Sequence, residues 1–194
     1  MKTATMVIAI VIFLACPIRA LYAMDTDVDA SVQMRAAITL SKTKDMDFGI
    51  IDYNPSHSGL IQLATNDTVT LSGASGLVLG GGTPAAGDIT IGGDGQSIVE
   101  ISCETSGTLS DGTANNLNLQ SIEYAIDTGV AFGAGTACAG LGTSPFLVDL
   151  VSNPAPRILL GGEIDVSGDA IAVSSLYSTT NAGGDPVTVQ VVYQ

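Results

Sequence analysis

The sequence predicts an all-β chain, and three observations carry that prediction. Beyond the first two dozen residues the apolar positions alternate rather than recur at helical spacing. Short apolar runs are separated by NPSHSG, GGGTPAAG, GGDG, SDGTANN and NAGGDP, all of them turn chemistry. No stretch after the N-terminal segment carries a helical stripe. Many short strands in one domain favour a sandwich or a barrel. The glycine-rich stretches show no fixed period that would mark a solenoid, so a single β-sandwich is preferred.

The first element is not part of that sandwich. Lys2 precedes an apolar run from Ala4 to Cys16, Pro17 breaks it, and small residues follow at Ala20 and Ala23. That order is the order of a secretory signal peptide, with cleavage expected after Ala23 and Ala20 as the alternative. The run is too short to span a bilayer, which takes about 20 apolar residues as a helix. The chain is therefore expected to be exported, with no membrane insertion once the signal is removed. Residues 24–194 are expected to hold an N-terminal extension, residues 24–35, followed by one domain, residues 36–194.

The extension is the most regular stretch of the chain. Val28, Ala30, Val32, Met34, Ala36, Ile38 and Leu40 share one face of an extended strand, and Asp27, Asp29, Ser31, Gln33, Arg35 and Thr39 the other. The run exceeds the five or six residues of an ordinary strand, and a break near residues 35–37 would divide it in two. Two readings stay open: a long or bent first strand in its own sheet, or an extension that inserts into a neighbouring subunit. The strands expected downstream are Ala36–Ser41, Leu60–Ala64, Thr68–Ser72, Asp88–Ile91, Ile98–Cys103, Leu117–Ile126, Phe146–Val151, Arg157–Val166 and Val187–Tyr193. The last ends one residue from the final Gln194, either as an ordinary paired strand or as an edge that needs a partner. Together the two ends suggest strand addition between chains.

Charge and cysteines narrow the function. Removing residues 1–23 takes Lys2 and Arg19 away and leaves four basic residues against 19 acidic ones, a formal net charge of −15. Such a surface repels phosphate backbones and anionic membranes, which argues against nucleic-acid partners. Cys16 leaves with the signal, and the remaining pair, Cys103 and Cys138, is expected to form a disulfide in an exported chain. The bridge would close a loop of 36 residues. Loop entropy values that closure at about 4 kcal/mol.

The sequence carries no pattern of catalytic or metal chemistry. The only histidine, His57, lies in a Pro-Ser-His-Ser-Gly turn, with no GxSxG elbow and no CxxC elsewhere. Gly80-Gly81-Gly82 lacks the Lys-Ser/Thr of a phosphate loop. Asp25, Asp27 and Asp29 imitate the start of a calcium loop, but its glycine and distal glutamate are missing, position twelve being Ala36. Asp45 and Asp47 share a strand face, a pairing expected by chance in so acidic a chain. Asn66-Asp67-Thr68 is a sequon that matters only in a glycosylating host. No enzyme, cofactor or metal is expected.

The string LSKTKDMDFGIID, with Asp47-Phe48-Gly49 at its centre, resembles the N-terminal motif of an exported bacterial family, domain of unknown function 4402. ILLGGEIDV, with Gly161-Gly162, and the ending YSTTNAGGDPVTVQVVYQ resemble its later motifs, so the likeness covers most of residues 36–194. More distantly the layout is similar to spore coat protein U-type proteins and archaic chaperone–usher pilins. That similarity implies an immunoglobulin-like β-sandwich, incomplete and completed by a donated strand from the next subunit. It further implies a periplasmic chaperone, an outer-membrane usher and a homopolymeric surface fibre, a fimbria or pilus used in cell adhesion. Val28, Ala30, Val32 and Met34 are then the subunit-interface residues, and Phe48-Gly49 is expected to supply an aromatic plug and a turn. The alternative is a monomeric exported surface or coat domain that binds a ligand such as a glycan through its loops.

Overall fold

The computed structural model describes residues 32, 34–143, 145–167 and 175–194. The chain divides into two units, residues 1–34 and 35–194, and the strands belong to the second. Its described residues form no helix: β1 (Thr39–Lys44), β2 (Ile50–Leu63), β3 (Val69–Gly81), β4 (Gly87–Gly92), β5 (Ile98–Cys103) and β6 (Gly107–Ser110) come first. They continue with β7 (Asn116–Ile126), β8 (Thr136–Ala137), β9 (Phe146–Asp149), β10 (Arg157–Asp165) and β11 (Val189–Tyr193). All pairings are antiparallel, in one eight-stranded and one three-stranded sheet. The fold is a β-sandwich.

β10 organises the larger sheet. Its run of Ile158, Leu159, Leu160, Gly161, Gly162, Glu163 and Ile164 is buried on both faces, the signature of a central strand. One side pairs first with β4, Leu160 opposite Gly87, and then with β2, Gly162 opposite Leu63. The other side pairs with β7 along nearly its whole length. The double glycine makes this crowding feasible. A Cβ on Gly161 would overlap the Leu63 carbonyl oxygen, and one on Gly162 would lie 2.9 Å from Ile122 and 3.0 Å from Leu119. Opposite them the ladder shifts register, with Ser121 at φ 50° inside β7.

The smaller sheet runs β11-β5-β9. Val99, Ile101 and Cys103 of β5 point inward, facing Tyr193, Val191 and Val189 of β11 in register. Val99 and Ile101 form one apolar cluster with Ile91, Leu119, Ile122, Leu150 and Ile158. Because that cluster takes residues from both sheets, it is the core of the sandwich. Cys103 at the end of β5 bonds to Cys138 just after β8, Cα atoms 5.3 Å apart. The pairing is the one the two cysteines predict, and the structure shows that it joins the two sheets.

β5 occurs as the sequence predicts, and β4, β7, β9 and β10 differ from prediction by two residues or fewer at their ends. The C-terminal strand is paired internally with β5, the first of its two readings. Residues 34–38 are not strand, and β1 begins at Thr39 rather than Ala36; the run from Asp27 to Ser31 lies outside the described residues. The NPSHSG segment is not a free turn; it lies inside β2, where the ladder to β3 shifts register between Tyr53 and Ser58. β6 and β8 were not predicted, being only four and two residues long.

Candidate functional site

Of the four expected interface residues the structure describes Val32 and Met34, and both are bare, 82% and 84% exposed. Val28 and Ala30, the other expected interface residues, lie outside the described residues. The start of the domain is fixed by Tyr193, at the end of β11. The Tyr193 hydroxyl donates to the Ala36 carbonyl and accepts from the Asp94 amide, both at 2.7 Å. The Arg35 guanidinium sits 5.6 Å from the Tyr193 ring centroid and donates to the Gln194 carbonyl at 3.4 Å. The chain therefore enters the domain beside its own last residue.

An apolar cleft of about 780 Å³ opens elsewhere on the sandwich. Residues 46–53 run along one side of it. Ile61 and Leu77 from β2 and β3, Leu109 and Leu117 from β6 and β7, and Ile164 and Val166 at the end of β10 form its walls. Leu176 at its mouth is 78% exposed. The Asp-Phe-Gly motif builds one end. Asp47 accepts the Gly49 amide through Oδ1 at 2.8 Å, and its backbone bridges to Ala85. Phe48 packs half-buried against the core, as an aromatic plug should. Gly49 holds φ 75°, and a Cβ there would lie 2.9 Å from the Gly81 carbonyl oxygen.

The basic residues beyond position 24 are all engaged. Lys42 pairs with Asp45, Lys44 with Asp67, and Arg35 with the Gln194 carbonyl. Arg157 binds buried Asp88 through both Nε and Nη2. The Arg157 hydrogen bond holds the Asp88 carboxyl below its ordinary pKa against the opposing effect of burial, and Asp88 raises Arg157 in turn. These groups border a polar hollow of about 280 Å³ with Asn66 and Asp127. Its polar groups face one another: Asp127 accepts the Arg157 amide at 2.9 Å, and Asp67 the Ala86 amide at 2.7 Å. Asp111 is lowered to about 2 by hydrogen bonds from Asn115 and Thr113 in the β6–β7 turn.

Glu123 is the unusual acid. It is buried, burial raises its pKa, and the Gly133 amide donating to Oε2 at 2.9 Å opposes that shift in part. Its Oε1 has no hydrogen-bond partner among the described residues. Nothing in the sequence marked Glu123, which sits between Ile122 and Tyr124 where a core side chain is expected. The Asp45 and Asp47 pair is taken up by Lys42 and by the turn at Gly49 and does not converge. His57 stacks edge-on against Tyr53, ring centroids 5.2 Å apart, with Nδ1 3.0 Å from the Asn54 carbonyl oxygen.

Neither the curated proteins nor the solved structures include a match to this chain. A protein family does match, over residues 38–193, and the span takes in the Asp-Phe-Gly string, the double-glycine strand and all but the last residue of the C-terminal motif. The chain thus belongs to the family described as Domain of unknown function (DUF4402).

Proposed function

We propose that this protein is an exported structural subunit that builds a bacterial surface fibre by donating its N-terminal strand to the next copy. The observation that carries the reading is the exposure of Val32 and Met34 within an alternating apolar segment. Two large aliphatic side chains held in water gain roughly 1.5–3 kcal/mol each on full burial. An extended chain with period-two alternation buries them best by joining a sheet, since backbone bonds then supply the pairing and alternate side chains the specificity. The disulfide between the sheets suits an oxidising compartment outside the cytoplasm. The acidic residues at positions 25, 27 and 29 keep the free segment solvated before it is donated. A periplasmic chaperone that covers the acceptor before assembly and an outer-membrane usher that exports the polymer are the partners this reading implies.

Deleting residues 24–35 from the exported chain tests the reading. The truncated protein is expected to remain folded and monomeric, while the intact chain forms ladders on a gel that collapse only on boiling. Assembly that continues undiminished after the deletion would sink it.

A further inference from the structure

We infer that Tyr193 anchors the root of the N-terminal extension, so that a pull on the extension reaches the core of both sheets before it reaches β1. The inference rests on the strand-donation reading, in which tension along the fibre enters each subunit through its own extension. β1, the first strand after the extension, is poorly placed to resist such a pull. All six of its residues are exposed, and among the described residues it pairs only with β4. Its ladder begins with Thr39 opposite Gly92, at the end nearest the extension. Tension arriving there would act on the cross-strand bonds one after another, and each alone is weak.

Tyr193 intercepts that tension at Ala36, ahead of the ladder. Its hydroxyl donates to the Ala36 carbonyl and accepts the Asp94 amide, both at 2.7 Å. One oxygen atom thus ties the root of the extension to the C-terminal strand and to the turn between β4 and β5. Both attachments lead inward. Tyr193 stands opposite Val99 of β5, which is fully buried. From Asp94 the turn closes on Ser97, whose amide donates to the Asp94 carbonyl at 3.1 Å. The Ser97 carbonyl in turn accepts the amide of fully buried Leu150 at 3.0 Å. β4 lies in the larger sheet and β5 and β11 in the smaller, so both sheets share the joint.

The surroundings are shaped for the hydroxyl. A Cβ on Gly93 would lie 2.7 Å from it, so glycine there leaves the space that the oxygen occupies. Arg35 adds a second hold, its guanidinium near the Tyr193 ring and bonded to the Gln194 carbonyl. Ile38, half-buried against the core, supports the stretch between Ala36 and β1.

The test uses the exported full-length chain and Tyr193→Phe, which keeps the ring and removes both hydrogen bonds. Trypsin cleavage after Arg35 tracks how often the root opens, and cleavage after Arg157, in the central strand, tracks opening of the whole domain. The variant is expected to be cut about tenfold faster after Arg35 and at the parent's rate after Arg157. Single molecules are then pulled through the extension or, as a control, between handles at exposed Thr113 and Ser152. The yield force should fall in the variant along the first pull and match the parent along the second. Gly93→Ala, which displaces the hydroxyl, serves if Tyr193→Phe does not fold. Equal acceleration at both trypsin sites, or equal weakening along both pulls, makes Tyr193 an ordinary stabilising contact and overturns the anchor. No change at Arg35, or none along the first pull, overturns it as well, and leaves strand donation standing. Assembly undiminished by deletion of residues 24–35 overturns strand donation, and with it the anchor's role in a fibre, whatever the two pulls show.

Discussion

The two halves of β2 have similar sequences and different fates. Leu60-Ile61-Gln62-Leu63 is flanked on both sides, by β3 through Ser72–Val69 and by β10 through Asp165–Gly162, and Ile61 and Leu63 are buried. Ile50-Ile51-Asp52-Tyr53 pairs with β3 in the same way, but β10 ends at Asp165 before reaching it, and Ile50 is 57% exposed. Both quartets are apolar at two or more positions, so hydrophobicity does not distinguish them. The reach of the neighbouring strand does. Among the described residues, the pairing of β2 with β10 covers only its last four residues, Leu60 to Leu63, and leaves out the head of this fourteen-residue strand.

The buried half offers the largest effect. Leu63 is fully buried between β3 and β10, and Leu63→Ala removes its contacts with both neighbours and leaves a cavity. The change is expected to destabilise the monomer by about 2–5 kcal/mol, read from urea unfolding at constant m-value. A loss below about 1 kcal/mol, under the range for such truncations, would mean that the two halves are equally loosely held, and the comparison would break.

How much of this was legible in the sequence divides along the same line. β5 could be read to the residue because Val99, Ile101 and Cys103 alternate cleanly and turn clusters bound them. β10 was legible as a continuous apolar run, and the disulfide as the two cysteines beyond the N-terminal apolar segment, though not the sheets it joins. The first half of β2 was not legible, because Asn54, Ser56, His57 and Gly59 have turn chemistry that the strand absorbs as a shift of register. Asn54 does make the side-chain bond of a turn, accepting the Ser56 amide at 2.9 Å, but within the strand. The cleft was invisible for another reason: it depends on which strands β10 joins, and no local pattern records a pairing between residues 164 and 61.

Glu123 sharpens the comparison from the other side of β10, where it stands opposite Gly161. Its folded pKa lies above the ordinary 4.5 because burial disfavours the anion. The native state therefore binds a proton that the unfolded chain has released, and stability falls as pH rises from about 4.5 through the raised folded value. Glu123→Gln keeps an acceptor for the Gly133 amide and removes the buried charge. The variant is expected to exceed the parent in unfolding midpoint at pH 7, with the difference closing below pH 4. An unchanged difference across that range would show that Glu123 does not titrate there, and that this flank of β10 tolerates a buried charge.

The smallest effect belongs to the open half of β2. Ile50 is mostly exposed and its side chain lines the cleft, so the single chain has little to lose there. Ile50→Thr keeps the β-branched shape that suits a strand, and the pairing to Gly81 does not use the side chain. Monomer stability is expected to change by no more than about 0.5 kcal/mol. Urea unfolding of the monomer beside the Leu63→Ala variant provides the measurement. A loss near that of Leu63→Ala would mean that Ile50 is already packed in the single chain, and that the two halves of β2 are equally well held.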